Sequence, residues 1–281
     1  MKKPLIEVEN LNFGYDKHCH ALRDINLTIT RGEMIAFTGK NGSGKTTLAK
    51  HFNGLLKPSS GRVLIDGNDT AKSTVSQLAQ KVGYVFQNPD HQIFNDTVFD
   101  EVAFGPKNQG LRGRELEKLV IQSIEAVGLK SYRGEYPYRL SKGQRQRLAL
   151  ASVIAMESEI MVLDEPTTGL DYKEGLEIME LVKKLNTKGR TIIFITHDMG
   201  LVADYAKRMV VVSEGEILVD DIPRKIFAME EVIKRAHLKI PEITQLAQRL
   251  GLSKRTILND AELFQEIIIA VKEAKLNVLC S

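Results

Sequence analysis

Two stretches of the chain, far apart in sequence, are built to hold anions. The first, GKNGSGKT from Gly39 to Thr46, has the spacing G-x-x-x-x-G-K-[ST]. It follows the apolar run MIAFTG and opens a helix-forming segment that the pattern carries from Lys45 through Leu56. In that setting successive backbone N–H groups point at a phosphate chain. Gly39, Lys40, Asn41, Gly42, Ser43, Gly44, Lys45, Thr46 and Thr47 are therefore candidate phosphate-binding residues. Gly42 and Gly44 let the backbone approach closely, Lys45 is expected to reach the β and γ oxygens, and the Thr46 hydroxyl is expected to ligate magnesium. The second stretch is LSKGQRQRLALAS, residues 140 to 152. Ser141 stands where a helix-capping hydroxyl belongs and Gly143 follows it, so the helix start offers free N–H groups and a positive dipole end.

Carboxylates complete the chemistry. In IMVLDEPTTGLD, Asp164 ends an apolar run and Glu165 follows it. One carboxylate can hold a magnesium shell while the other polarises an attacking water, the division that phosphoryl transfer needs. His197 closes TIIFITH, where an imidazole could hydrogen-bond a γ-phosphate. Gln87 closes KVGYVFQ and is a neutral ligand able to touch both metal and water. Each of these residues alone would read as solvated loop or satisfied core; the glycine-rich loop changes their weight.

These residues need a scaffold that brings strand ends together. Between residues 5 and 29 the sequence alternates, with Ile6 and Val8 opposite Glu7 and Glu9 and with Ile25, Leu27 and Ile29 repeating the period of two. GRVLIDG continues it, as half-exposed antiparallel strands would. MIAFTG, IMVLDE and TIIFITH do not alternate and are separated by helical pattern, which predicts buried parallel strands with crossover helices and an α/β fold. Between Asn88 and Met156 the apolar spacing turns helical, with Leu116, Leu119, Val120, Ile124 and Val127 on one stripe. After another strand pair at MVVVSEGEILVDD, the tail reads as short helices.

The totals restrict the partners. A chain of 281 residues, 43% hydrophobic, can bury a large core. A formal charge of +3 gives no field that argues for nucleic acid. Cys19 and Cys280 have no metal-ligand spacing and make a poor disulfide framework, so a reducing cytoplasm is expected. No run is apolar enough to span a bilayer, so a membrane role would be played from the surface through another protein.

The order of GKNGSGKT, Gln87, LSKGQ, IMVLDE, GLD and His197 resembles the nucleotide-binding subunits of ATP-binding-cassette (ABC) transporters, over roughly residues 4 to 225. The resemblance implies a P-loop NTPase (RecA-like) core with an antiparallel β subdomain, a helical ABC subdomain near 88–156, and a small helical C-terminal module over 226–281 appended to an ATPase domain of 1–225. It implies an ATPase using ATP and Mg2+, with Thr46, Gln87 and Asp164 at the metal and Glu165, His197 and Gln87 in catalysis. Two subunits would pack head to tail, so Ser141, Gly143 and Gln144 would grip the γ-phosphate of the partner's ATP. Asp171 would communicate across that interface, and Tyr15 resembles the aromatic that stacks on adenine. Lys142 replaces the glycine of the commoner LSGGQ, with backbone strain or altered electrostatics as the expected consequence.

GYVFQNPDHQIFNDTVFDEVAFGPKN and LKIPEITQLAQRLGL further resemble the ATPases of energy-coupling-factor (ECF) transporters. There Gln87 and Gln92 would bracket a short helix that receives a transmembrane coupling subunit, with Val98, Phe99, Val102 and Phe104 as an apolar docking wall. The implied partners are a second ABC ATPase subunit, identical or paralogous, the coupling subunit and a substrate-binding membrane component. The implied location is the cytoplasmic face of the cell membrane, and the cargo a vitamin or a cobalt or nickel ion. Another ABC importer type, or a soluble ABC ATPase of DNA repair or translation, remains open on sequence alone.

Overall fold

The computed structural model describes residues 3–16, 20–252 and 256–279; Cys19 and Cys280 lie outside the described residues. Strands β1 (Pro4–Gly14), β2 (His20–Thr30), β4 (Ser60–Ile65) and β5 (Asn68–Asp69) form an antiparallel sheet in the order β2-β1-β4-β5. A second sheet has the order β10-β9-β3-β8-β7-β6, from β3 (Met34–Thr38), β6 (Val82–Val85), β7 (Ile160–Asp164), β8 (Thr191–Ile195), β9 (Arg208–Ser213) and β10 (Glu216–Asp221). All its neighbours pair in parallel except the β10 edge.

The non-alternating runs are explained by burial on both faces. Ile35, Phe37, Ile160, Val162, Ile193 and Ile195 point into a core closed by the antiparallel sheet. Met34, Ala36, Met161, Leu163, Ile192 and Phe194 point into a second core closed by helices. A strand that serves two cores has no polar face to alternate with. In β1 the alternation holds from Ile6 to Glu9 and then breaks: the register shifts between Val8 and Leu11, Asn10 takes a φ of 47°, and Leu11 rather than Asn10 turns inward. That bulge keeps the polar side chain out of the core.

Helix α1 covers Lys45–Phe52, shorter than the run to Leu56 expected from pattern. Gly54, at φ 72°, takes the left-handed position that ends the helix, and the Leu56 N–H turns back to the Lys50 carbonyl. After α2 (Val75–Ala79) come α3 (Val98–Asn108), α4 (Gly113–Ala126) and α5 (Lys142–Ala155), the helical insertion. Leu116, Val120, Ile124 and Val127 are buried and Leu119 half-buried, as the stripe predicts. Crossover helix α6 (Tyr172–Thr187) and α7 (Met199–Tyr205) return the chain to the sheet.

The C-terminal region comprises α8 (Pro223–Ile226), α9 (Glu230–Arg235), α10 (Glu242–Leu250) and α11 (Asp260–Leu279). Its first part, through Ile240, lies on the main helical core, where Ile226, Phe227 and Ala236 are buried. Ala247, Ile257 and Leu263 form a small separate core.

One close approach fixes α5 to the sheet. A Cβ on Gly83 of β6 would lie 2.4 Å from Val153 Cγ1 and 2.6 Å from Ser158 Oγ. Gly83→Ala is expected to cost about 1–3 kcal/mol by overpacking, read as a lower denaturation midpoint at unchanged m-value.

Candidate active site

The strand β3 ends at Thr38, and the chain then makes three left-handed glycine turns before α1: Gly39 at φ 137°, Gly42 at 78° and Gly44 at 109°. A Cβ on Gly39 would meet the Val212 carbonyl at 2.0 Å, and one on Gly44 the Ala21 carbonyl at 2.8 Å. At Gly42 the space is open, so glycine there answers to the dihedral and leaves a bare face. The β9–β10 turn braces the loop, with the Gly215 N–H donating to the Ser43 carbonyl at 3.0 Å and the Arg23 N–H to the Gly215 carbonyl at 2.8 Å.

A cleft of about 460 Å³ opens in front of this loop. It is lined by Tyr15, Asn41, Gly42, Gly44, Lys45, Thr46, Thr47, Gln87, Asp164 and Glu165, with His20, Ala21 and Ile195 at its edges. Gly39, Lys40 and Ser43 shape the loop without lining the cleft. Ser43 is buried, and its Oγ has no hydrogen-bond partner among the described residues, an orphaned donor behind a phosphate-shaped loop. Lys45 Nζ donates to the carbonyls of Gly39 at 2.8 Å and Lys40 at 2.9 Å. Burial draws its pKa down, opposed by Glu165 and Asp164.

Asp164 is the hub of the polar network. It accepts from Thr46 Oγ1 at 3.0 Å and from the buried Tyr84 hydroxyl at 3.1 Å. Burial pushes its pKa up, and these two hydrogen bonds pull it back. Thr46 Oγ1, the Asp164 carboxylate and the Gln87 amide are oxygen donors of the kind Mg2+ prefers, so the residues present fit that ion. Among the described residues no group of three or more His, Cys, Asp and Glu could hold a metal. Phosphate oxygens and water would therefore supply the rest of the shell.

Glu165 sits at φ 50°, a left-handed conformation costly for a side-chain-bearing residue and held by its N–H bond to the Ile195 carbonyl at 3.0 Å. Its carboxylate bonds His197 Nδ1 at 2.8 Å and accepts from Thr168 Oγ1 at 3.1 Å. His197 does not line the cleft; it reaches it through Glu165 and borders a neighbouring cavity of about 570 Å³. Tyr15, just beyond β1 and 59% exposed, stands on the cleft rim rather than in the core. Its hydroxyl lies 3.1 Å from Thr47 Oγ1, and its ring meets the Phe13 edge at 5.0 Å. Phe13 in turn packs on the buried His51 ring at 4.9 Å, backing α1 with an aromatic row.

Ser141, Gly143 and Gln144 do not border this cleft. They form the first turn of α5, where Ser141 Oγ accepts from the Gln144 N–H at 3.2 Å and Gln144 Oε1 accepts from the Ser141 N–H at 2.9 Å. A Cβ on Gly143 would meet the side-chain ends of Glu174 (Oε2 at 2.9 Å) and Leu170 (Cδ2 at 3.2 Å), which would have to move to admit it. Lys142 has no positive φ and opens α5 in helical conformation, so the backbone strain expected there is absent. Its side chain lies across Gly169. Asp171 caps α6, accepting from the Glu174 N–H at 2.7 Å.

The expected docking wall is redistributed. Val98 and Val102 are core residues and Phe99 is half-buried, because the helical stripe they occupy faces α4 and α5. Phe104 is exposed, and its partner is Phe94, with rings edge-on at 4.7 Å. Phe94, Tyr84, Thr168 and Phe13 escaped sequence reading. None belongs to a spacing motif, and their roles arise from contacts across the fold.

The ABC transporter family profile matches residues 22–168. An energy-coupling factor transporter ATP-binding protein of Methanothermobacter thermautotrophicus is 43% identical over 89% of this chain and 81% of its own length. A Caldanaerobacter subterraneus protein named as an ABC transporter ATP-binding protein is 49% identical over 88% of this chain, which spans only 43% of that longer relative. Among solved structures, cbiO1 of Clostridium perfringens, part of the ABC transporter complex cbiONQ, is 39% identical. It aligns with a TM-score of 0.75 over 88% of this chain and all of its own.

As a magnesium ligand Asp164 would act ionised, so turnover is expected to fall as pH falls through its pKa. Tyr84→Phe removes a hydrogen bond that favours the charged form. The acid limb of the pH profile for nucleoside-triphosphate turnover is expected to move to higher pH, and an unmoved limb would dissociate Tyr84 from Asp164 ionisation.

Proposed function

Because this chain belongs to the ABC transporter family as an ATP-binding ATPase subunit, we propose that it powers an ECF-type importer as one of two subunits that close head to tail on ATP. The single observation carrying the two-subunit reading is the placement of Ser141, Gly143 and Gln144. The cleft holding Lys45, Thr46, Asp164 and Glu165 includes none of them, so they are free to serve a nucleotide held by another subunit.

In this reading the loop N–H groups and Lys45 bind the β and γ phosphates, and Tyr15 offers its ring to adenine. Thr46, Asp164 and Gln87 would hold Mg2+, which neutralises phosphate charge when bound. Glu165 polarises the attacking water. His197 keeps the Glu165 carboxylate oriented through the 2.8 Å contact, with its side chain largely exposed. Asp171 and α6 carry the interface signal. Closure follows ATP binding, and hydrolysis releases it.

No helix among the described residues is long and apolar enough to cross a membrane. The exposed Phe94–Phe104 pair, at the end of the turn that follows Gln87, offers an apolar seat for a transmembrane coupling subunit. The similarity to ECF and cbiO proteins supports a peripheral site on the cytoplasmic face, a substrate-binding membrane component, and a vitamin or transition-metal cargo.

Glu165→Gln is expected to leave ATP binding intact, reduce hydrolysis by about 10²–10⁴-fold, and trap a closed dimer visible by size-exclusion chromatography. Near-normal turnover removes Glu165 from the base role. Ser141→Arg is expected to spare ATP binding by the isolated subunit while abolishing dimer-dependent turnover. Loss of ATP binding by that monomer contradicts the shared site.

A further inference from the structure

The turn that follows Gln87 is fastened at three points to α5 and the segment that leads into it. Asp90 lies in the short 3-10 turn Pro89–His91, with its N–H held by Asn88 Oδ1 at 3.1 Å. Its Oδ1 pairs with Arg145 Nε at 2.7 Å, and Arg145 Nη1 donates to the Leu140 carbonyl at 2.6 Å. Gln92 Nε2 donates to the Ala149 carbonyl at 3.0 Å, one helical turn further along α5. Tyr138, on the approach to α5, donates its hydroxyl to the Ile93 carbonyl at 3.0 Å.

Arg145 directly follows Gln144, and its side chain is 19% exposed. An ion pair in that half-shielded position is screened less than a surface pair. The Nε–Asp90 contact is a close charge pairing without hydrogen-bond geometry, and the hydrogen bond that holds the guanidinium runs from Nη1 to the Leu140 carbonyl. Ser141 and Gln144 therefore cannot shift against the 88–93 turn without breaking a charged contact and two neutral ones. The cleft residue Gln87 stands at one end of this linkage, and the residues proposed to reach the other subunit's nucleotide stand at its far end.

We propose that the Asp90–Arg145 pair is a strut that transmits the position of the Gln87 turn to the start of α5 within one subunit. Arg145 is thus a positioning residue for the partner's ATP. This inference rests on the two-subunit reading above. Pressure on the turn beside Phe94 changes how firmly Ser141 and Gln144 meet the opposite nucleotide, without any change in the loop that binds the subunit's own ATP.

The test uses the full-length chain carrying Glu165→Gln, with ATP-driven dimerisation followed by light scattering and monomer ATP affinity followed by a fluorescent analogue at subunit concentrations too low to dimerise. Adding Arg145→Ala is expected to raise the ATP concentration needed for dimerisation by about 5-fold or more, the scale of an energetic coupling between linked sites, with monomer affinity unchanged. Arg145→Lys is expected to retain part of the effect of the pair, and the exchange Asp90→Arg with Arg145→Asp to restore it. A thermal midpoint for each variant identifies simple unfolding, and the exchange variant then decides the question in a folded protein. Dimerisation unaffected by Arg145→Ala, an equal loss of monomer ATP affinity, or no recovery in the exchange overturns the strut. Absence of ATP-driven dimerisation in Glu165→Gln alone overturns the two-subunit reading and the strut with it.

Discussion

The parallel register of β3, β8 and β7 is the constraint on which the site depends. Phe37 pairs with Ile195 and Ile195 with Asp164, so the carboxyl ends of all three strands finish at one level. The residues leaving the three strands must then share the same edge: the glycine loop after Thr38, Glu165 after Asp164, His197 shortly after Ile195. Ligand sites in open α/β sheets collect at this edge for the same reason. Burial on both faces holds the register, since a one-residue slip would send Ile35, Phe37, Ile193 and Ile195 from one core into the other.

That framework allows charges to be gathered where water is scarce. Lys45 and Asp164 are both buried, and each is perturbed in the direction that disfavours its charge. Hydrogen bonds from Thr46 and Tyr84 to Asp164, and from Lys45 to the loop carbonyls, hold the charged groups in place before any phosphate arrives. Groups fixed in advance need little reorganisation when a highly charged ligand binds. The left-handed Glu165 is the local cost of aiming a carboxylate into the same space.

The start of α5 is governed by packing of a different kind. Gly83 lets the helix lie close on β6, Gly143 lets its first turn meet α6, and Ser141 and Gln144 satisfy each other's backbone groups in a capping box. This end of the molecule is therefore complete as a fold and separate from the chain's own phosphate loop.

Much of this was legible in the sequence. The spacing of GKNGSGKT, the apolar runs ending in Asp164 and His197, and the alternation of β1 and β2 each express a local rule: glycine where φ is positive, apolar residues at the period of a buried face. Those rules act between near neighbours, so the sequence by itself determined the phosphate loop, the two-faced strands, the cap at Ser141 and the class of the fold. Tertiary structure alone decided that Tyr84 would reach Asp164, that Phe94 rather than Val98 would join Phe104, that His197 would contact Glu165, and that Asp90 would lie against Arg145. Such contacts join residues whose separation along the chain carries no period or motif. Only the packing of sheet against helices brings their polar atoms within hydrogen-bonding range, and that packing is a property of the whole core rather than of any segment.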